Sequence, residues 1–290
     1  MLEPLIHQAA LKCDVEGLRI CLSRDSEAKY ERFACPVDAR EPGGHTALHL
    51  LCGSNSAYAA MYVETGERNA ETVEACFHLL REAGADLNAR DNAGFTALHH
   101  VAYCSRASTG SYEVGAVPGV RPVCLKLASL LLRHGVDVNA RDAESIVGTS
   151  PLHEAVFCSA MTALLIKAGA DVNLLDNGHR TPLYTALYHG THCHDGRVRE
   201  TLPTLLRAGA EISNHIRTAL DAYAGPHSST HAEGEVIFLY FQKVIDAGGF
   251  KKYAQAHLAT LTKTFAPKFP VLPPEMVRHI LTFGFHAGFY

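Results

Sequence analysis

The apolar positions of the chain gather in short clusters that recur with a fixed polar spacing. Leu79-Leu80, Leu131-Leu132, Leu164-Leu165 and Leu205-Leu206 each precede a glycine, at Gly84, Gly135, Gly169 and Gly209. Each glycine opens a short motif: Gly84-Ala-Asp-Leu-Asn88, Gly135-Val-Asp-Val-Asn139, Gly169-Ala-Asp-Val-Asn173 and Gly209-Ala-Glu-Ile-Ser213. A second motif alternates with it: Thr46-Ala-Leu-His49, Thr96-Ala-Leu-His99, Ser150-Pro-Leu-His153, Thr181-Pro-Leu-Tyr184 and a weaker Thr218-Ala-Leu-Asp221. From each glycine to the next Thr or Ser are 12, 15, 12 and 9 residues. That is too short for a pair of helices and predicts an extended hairpin. From each Thr or Ser to its own glycine are 38, 39, 19 and 28 residues. The shortest distance fits two short helices joined by a tight turn, so the longer units carry insertions between their helices.

Each motif position has a physical task. Thr or Ser at a helix start caps exposed N–H groups, and Pro at the first helical position loses no hydrogen bond. Leu48, Leu98, Leu152 and Leu183 are predicted to plug the gap between neighbouring units, and the leucine pairs to face the core. The glycines are predicted to end the second helix at positive φ, where a side chain is strained. Pro4-Leu-Ile-His7 falls in the signature register, so a divergent first unit covers about residues 2–41. A sixth runs from Thr218 to Gly248-Gly249. No unit can bury its apolar face alone, so stability is shared between neighbours.

These two linked motifs resemble the ankyrin repeat family, whose unit is about 33 residues with a T-P-L-H-x-A signature. The resemblance implies an all-α solenoid of about six helix-turn-helix units over residues 1–249, followed by a helical tail over 250–290. It also implies a protein-binding module whose hairpin tips and first helices form a concave face. The tips are Arg40-Glu41, Arg90-Asp91-Asn92, Arg141-Asp142-Ala143 and Asp176-Asn177-Gly178. Either they present a mixed-charge ladder to a polar protein segment, or they close the hairpins as Asx turns. Asn88, Asn139 and Asn173 occupy the position at which ankyrin asparagines are similar to known hydroxylation substrates.

The insertions lie near 53–73, with Glu64, Glu67, Glu71 and Arg68, and near 105–122, rich in Gly and Pro. Further polar loops are His189–Gly196 and Ser228–Gly234. Loops on a rigid scaffold often carry recognition.

The tail has two resemblances of its own. A helix is predicted from Ala254 to Phe265 and another from Glu275 to Phe283, started by Pro273-Pro274. Leu258, Thr262 and Ala266 keep the spacing of a SOCS-box helix that binds elongins B and C, with Thr262 where that family has Cys. Leu272-Pro273-Pro274-Glu275 then stands for the cullin-contacting segment, closer than in that family. Leu272 to Leu281, including Ile280, is also similar to the opening of an F-box, which recruits a Skp1-type linker. The third reading is a cap over the last repeat. The adaptor reading makes the chain the substrate-recognition subunit of a cullin-type ubiquitin ligase. The alternative is a plain scaffold or inhibitor.

Composition narrows this further. With 26 basic and 30 acidic residues the net charge is −4, which gives no basic surface for nucleic acid. No apolar run reaches the ~18 residues of a membrane helix, and the start lacks a signal-peptide pattern. Nine scattered cysteines without a Cys-x-x-Cys pair are expected to be reduced in a cytoplasmic or nuclear protein, monomeric outside its complex. His192-Cys193-His194-Asp195 has ligand-type residues, but neighbours on one loop rarely close a tetrahedral site, so no metal or cofactor is expected. Nor is there a Walker loop, a dinucleotide-binding glycine motif or a nucleophile elbow, and no enzyme activity is expected.

Overall fold

The computed structural model describes residues 5–22, 35–53, 70–105, 120–142, 147–192, 198, 200–223 and 232–284. Most of both long insertions, Ala143, Cys193-His194-Asp195 and the Ser228–Gly234 loop up to His231 lie outside the described residues.

Among the described residues there are fourteen α-helices and no strand. The hairpins contain one isolated bridge, between Arg90 and Thr96. The chain divides into two compact units, Met1–His179 and Arg180–Tyr290.

The first unit holds four helix pairs: α1 (Leu5–Lys12) with α2 (Val15–Leu22), α3 (Ala47–Leu51) with α4 (Ala70–Glu82), α5 (Ala97–Cys104) with α6 (Val120–Arg133), and α7 (Pro151–Ala155) with α8 (Ser159–Lys167). First helices pack on first helices, α1 on α3, α3 on α5 and α5 on α7. Second helices do the same, α2 on α4, α4 on α6 and α6 on α8. The signature leucines Leu48, Leu98 and Leu152 are buried between successive first helices. Of each leucine pair, the member four residues before the glycine is always buried: Leu80, Leu131 and Leu165. Its partner is only half-buried in these three pairs, so the expected two-leucine face is a single row. Gly84 has φ +89° and ends α4, with the Ala85 N–H bonded to the Leu80 carbonyl. This is the left-handed turn that glycine permits without strain.

The caps depart from the common pattern. In the usual box a Glu or Gln three residues on returns to the N-cap. Here histidine does it. The Thr46 N–H donates to His49 Nδ1 at 3.1 Å, and the Thr96 and Ser150 N–H groups donate to His99 and His153 Nδ1 at 3.2 Å each. Nδ1 therefore holds a lone pair, which leaves the proton on Nε2. His49 Nε2 donates to the Phe95 carbonyl and His99 Nε2 to the Thr149 carbonyl, each at 3.2 Å, so each cap also ties its unit to the next. Burial, with the nearby His100 next, pushes His49 down to about 4. Burial likewise pushes His99 down to about 3.

The second unit holds α9 (Pro182–His192), α10 (Thr201–Arg207), α11 (Asn214–Tyr223), α12 (Ala232–Asp246), α13 (Phe250–Phe265) and α14 (Pro274–Gly284). Leu183, Leu205, Leu206, Leu220, Phe241 and Val244 form its core. The tail expected from residue 250 belongs to this unit: α13 packs on α10 and α12, and α14 packs on α13. α13 begins at Phe250, four residues earlier than the pattern suggests, because Gly249 at φ +111° supplies the turn that starts it.

Among the described residues no helix is long and apolar enough to cross a membrane. None of the described cysteines is joined in a disulfide, and most are buried.

Candidate partner-binding surfaces

Two surfaces stand out, the hairpins of the first unit and the tail of the second. In the hairpins each arginine binds its own turn and the next one. Arg40 Nη1 donates to the Gly44 carbonyl at 3.3 Å and to the Arg90 carbonyl at 2.5 Å. Arg90 Nη1 donates to the Gly94 carbonyl at 2.9 Å and to the Arg141 carbonyl. Arg141 Nε donates to the Gly148 carbonyl at 3.3 Å and its Nη2 to Asn177 Oδ1 at 2.8 Å. This ladder uses the fork of the guanidinium, which a lysine lacks.

The acids of the tips face inward. Asp91, Asp142 and Asp176 are 6%, 0% and 3% exposed. Asp91 Oδ1 accepts the Ala93 and Phe95 N–H groups at 2.9 Å each, and Asp176 Oδ1 accepts the Gly178 N–H at 2.8 Å. Thr149 Oγ1 donates to Asp142 Oδ2 at 3.2 Å. Each of these acids thus accepts hydrogen bonds from within its own hairpin. Of the tip residues, Arg40, Asn92 and Asn177 are exposed, while Glu41 is half-buried against His45. Asn92 also links hairpins, donating from Nδ2 to the Pro42 carbonyl at 2.9 Å.

A second ladder runs through the acid and asparagine of the glycine motif. The Asp86 N–H donates to Asp38 Oδ1 at 3.1 Å, Asp137 N–H to Asn88 Oδ1 at 3.1 Å and Asp171 N–H to Asn139 Oδ1 at 2.8 Å. Asn88 and Asn139 thus spend their amide oxygens on the next unit. The Asn173 N–H donates to Asp171 Oδ1 at 2.9 Å.

Sequence reasoning missed a cluster at the second of these interfaces. His45, just before one signature, and His100, just after the next, both approach Asp91. They are 46 and 9 residues from Asp91, so no linear motif marks them. The available signal was their place in the repeat register: an acid in the hairpin, with a histidine flanking the signature on either side of the interface. The hydrogen bond to Asp91 raises His45 above an ordinary imidazole against the cost of burial, with Glu41 adding to the rise. Burial alone would raise the Asp91 carboxyl, but the bonds from His100 and His45 outweigh it and hold it well below the carboxylate range.

The tail is built differently. No side chain of α13 is fully buried. Leu258, Thr262 and Ala266 are half-buried, and the Thr262 hydroxyl donates to the Leu258 carbonyl at 2.7 Å. The link from α13 to α14 exposes Phe269, Val271 and Leu272, and Met276 follows on α14. Pro273 is exposed as well. Val271 is 91% exposed. Among the described side chains of α14, Val277 and Leu281 are buried; the side chain of Ile280 lies outside the described residues.

Residues 123–220 match the family model of ankyrin repeats, in three copies. Among curated relatives, protein fem-1 homolog A of Danio rerio is 37% identical over 97 residues, 33% of this chain and 14% of that protein. BCL-6 corepressor-like protein 1 of Homo sapiens is 31% identical over 115 residues, 39% of this chain and 5% of that protein. The chain therefore spans a small part of the length of the curated relatives it matches.

Proposed function

We infer, for a chain that carries ankyrin repeats and is accordingly a protein-binding module and not an enzyme, the role of substrate-recognition subunit in a cullin-type ubiquitin ligase. In this reading the repeats hold the substrate and the tail docks on the ligase. The observation that carries it is the tail. Four large apolar side chains, Phe269, Val271, Leu272 and Met276, lie exposed within eight residues of sequence. A cap is expected to bury such groups, whereas a docking segment presents them. The half-buried row of Leu258, Thr262 and Ala266 on α13 supports the elongin form of this reading, because it keeps the spacing of a SOCS-box helix.

The repeats contribute stiffness and a defined edge. Their hairpins are cross-linked by arginine and asparagine ladders, so a partner meets a pre-organised surface and loses little entropy in ordering it. The exposed polar groups along it include Arg40, Asn92 and Asn177 at the tips and Asp86, Asn88, Asp137 and Asp171 in the glycine motifs.

The test uses the full chain with purified elongin B–elongin C, and separately with purified Skp1. Val271→Asp and Leu272→Asp change exposed positions and leave the core intact. Binding of elongin B–C by the wild type, lost in a Leu258→Asp variant that circular dichroism shows to be folded and kept in the double variant, supports the elongin form. Skp1 bound in its place favours the F-box form. If neither binds, the tail is a cap and the chain is a plain scaffold.

A further inference from the structure

The hairpin acid recurs in successive interfaces of the first unit, but its surroundings differ. At the interface around Asp142 the equivalent flanking positions hold Phe95 and Glu154. Around Asp91 they hold His45 and His100. Only the second set gathers two imidazoles on one carboxylate.

Its geometry suits a metal. His100 Nε2 lies 2.8 Å from Asp91 Oδ2, and His45 Nε2 lies 3.4 Å from the same oxygen. All three donor atoms fall within 4.8 Å of one another. Zinc bonds to imidazole nitrogen and carboxylate oxygen are about 2.0–2.1 Å, so donors around a tetrahedral ion stand about 3.4 Å apart. The His45 donor is already at that spacing. The His100 donor opens by about 0.6 Å, a small turn of one ring.

The outer groups also fit. His45 Nδ1 is bonded to Glu41 Oε1, which fixes the ring with Nε2 toward Asp91. A carboxylate behind a ligating histidine is the usual orienting partner. Asp91 Oδ1 is held by two backbone N–H groups, so Oδ2 is the oxygen turned to the imidazoles. The side chains of His45, Asp91 and His100 are 17%, 3% and 11% exposed, so the cluster is sheltered but has a route to solvent through His45.

We propose that His45 Nε2, Asp91 Oδ2 and His100 Nε2 bind one divalent transition-metal ion, Zn2+ by donor type, which clips two adjacent repeats together and keeps a fourth position for water or a partner's side chain. Two imidazoles and one carboxylate favour zinc over magnesium or calcium, which take mostly oxygen donors. The ion takes the place of the two imidazole hydrogen bonds to Asp91; each ring then binds through an unprotonated Nε2 and carries its one proton on Nδ1, any second proton leaving to solvent. His45 comes from the hairpin that precedes α3, whereas Asp91 and His100 come from the following repeat, so binding favours the stacked form over the unfolded chain.

The test is carried out on the full chain, stripped with chelator and then given Zn2+ alone, or Co2+ alone as a spectroscopic stand-in. Isothermal titration gives the stoichiometry, and thermal melting gives the shift. His45→Phe places at this interface the residue the chain itself uses at the next one, and His45→Gln is a second variant of closer shape. Circular dichroism checks that each is folded. Cys193→Ser combined with His194→Ala removes ligand types from the other His/Cys-rich segment. The expected result is one Zn2+ per wild-type chain, a raised Tm and the visible absorption of tetrahedral Co2+. All three are kept in Cys193→Ser/His194→Ala and lost in the His45 variants and in His100→Ala. No binding by the wild type, equal binding by the folded His45 variants, or loss in Cys193→Ser/His194→Ala alone overturns the proposal.

Discussion

The hairpins tie most of their polar groups to the neighbouring repeat and expose apolar residues singly, at Val147 and Leu175, whereas the tail gathers exposed apolar side chains within a few residues. Along the first unit, arginine, asparagine and histidine side chains are bonded to the neighbouring repeat, and the tip acids Asp91, Asp142 and Asp176 are folded inward. In the tail, four large apolar side chains stay in solvent. The difference teaches where each region's chemistry is directed. The hairpins use theirs largely on the fold, so a partner meets a rigid edge with a few outward polar groups. The tail leaves apolar area uncovered, which is a cost in water and marks an interaction surface.

The comparison fails most visibly if the two regions respond alike to substitution. Leu98→Ala, in the plug between first helices, is expected to lower stability by about 2–5 kcal/mol through the cavity it leaves. Urea unfolding followed by circular dichroism reads this. Acid is the next largest effect. His49 and His99 are buried neutral, with folded values of about 4 and about 3, below the ordinary imidazole value near 6.5. Their stability contribution is therefore complete above pH 6.5. Below it the unfolded chain takes up protons that the native chain refuses, so stability falls as pH drops, by up to about 1.4 kcal/mol per pH unit for each histidine. Melting in chelator from pH 7.5 to pH 5 should show a plateau above pH 6.5 and below it a decline that His99→Gln makes shallower. An unchanged slope in that variant removes the cap argument.

Gly84→Ala is expected to cost about 1 kcal/mol, since the space beside it is open and only the positive φ is strained. Val271→Asp should change stability by less than about 0.5 kcal/mol, because the side chain is surrounded by water. A loss at Val271 comparable with that at Leu98 would place it in a core and undo the contrast between the regions.

The repeated units were legible because their motifs mark local chemistry: a cap, a plug leucine, a glycine at a helix end. The helices of the tail were legible from spacing too, to within a few residues. The buried acids and double-duty arginines were not. Arg90 at a hairpin tip looks the same in sequence whether it points to a partner or to the Arg141 carbonyl, and only the stacking register decides. The half-burial of Leu79 and Leu132 has the same origin, since the stacking register decides which member of a leucine pair is covered, one in these pairs and both at Leu205-Leu206. The His45–Asp91–His100 cluster was hidden because its members come from two repeats.

The most direct test of the docking account is amide hydrogen exchange of the full chain, with and without purified elongin B–elongin C. The account expects slowed exchange confined to residues 258–276, with the hairpins of the first unit unchanged. Exchange that stays the same throughout the tail at saturating elongin B–C, or that slows only in the repeats, would contradict it.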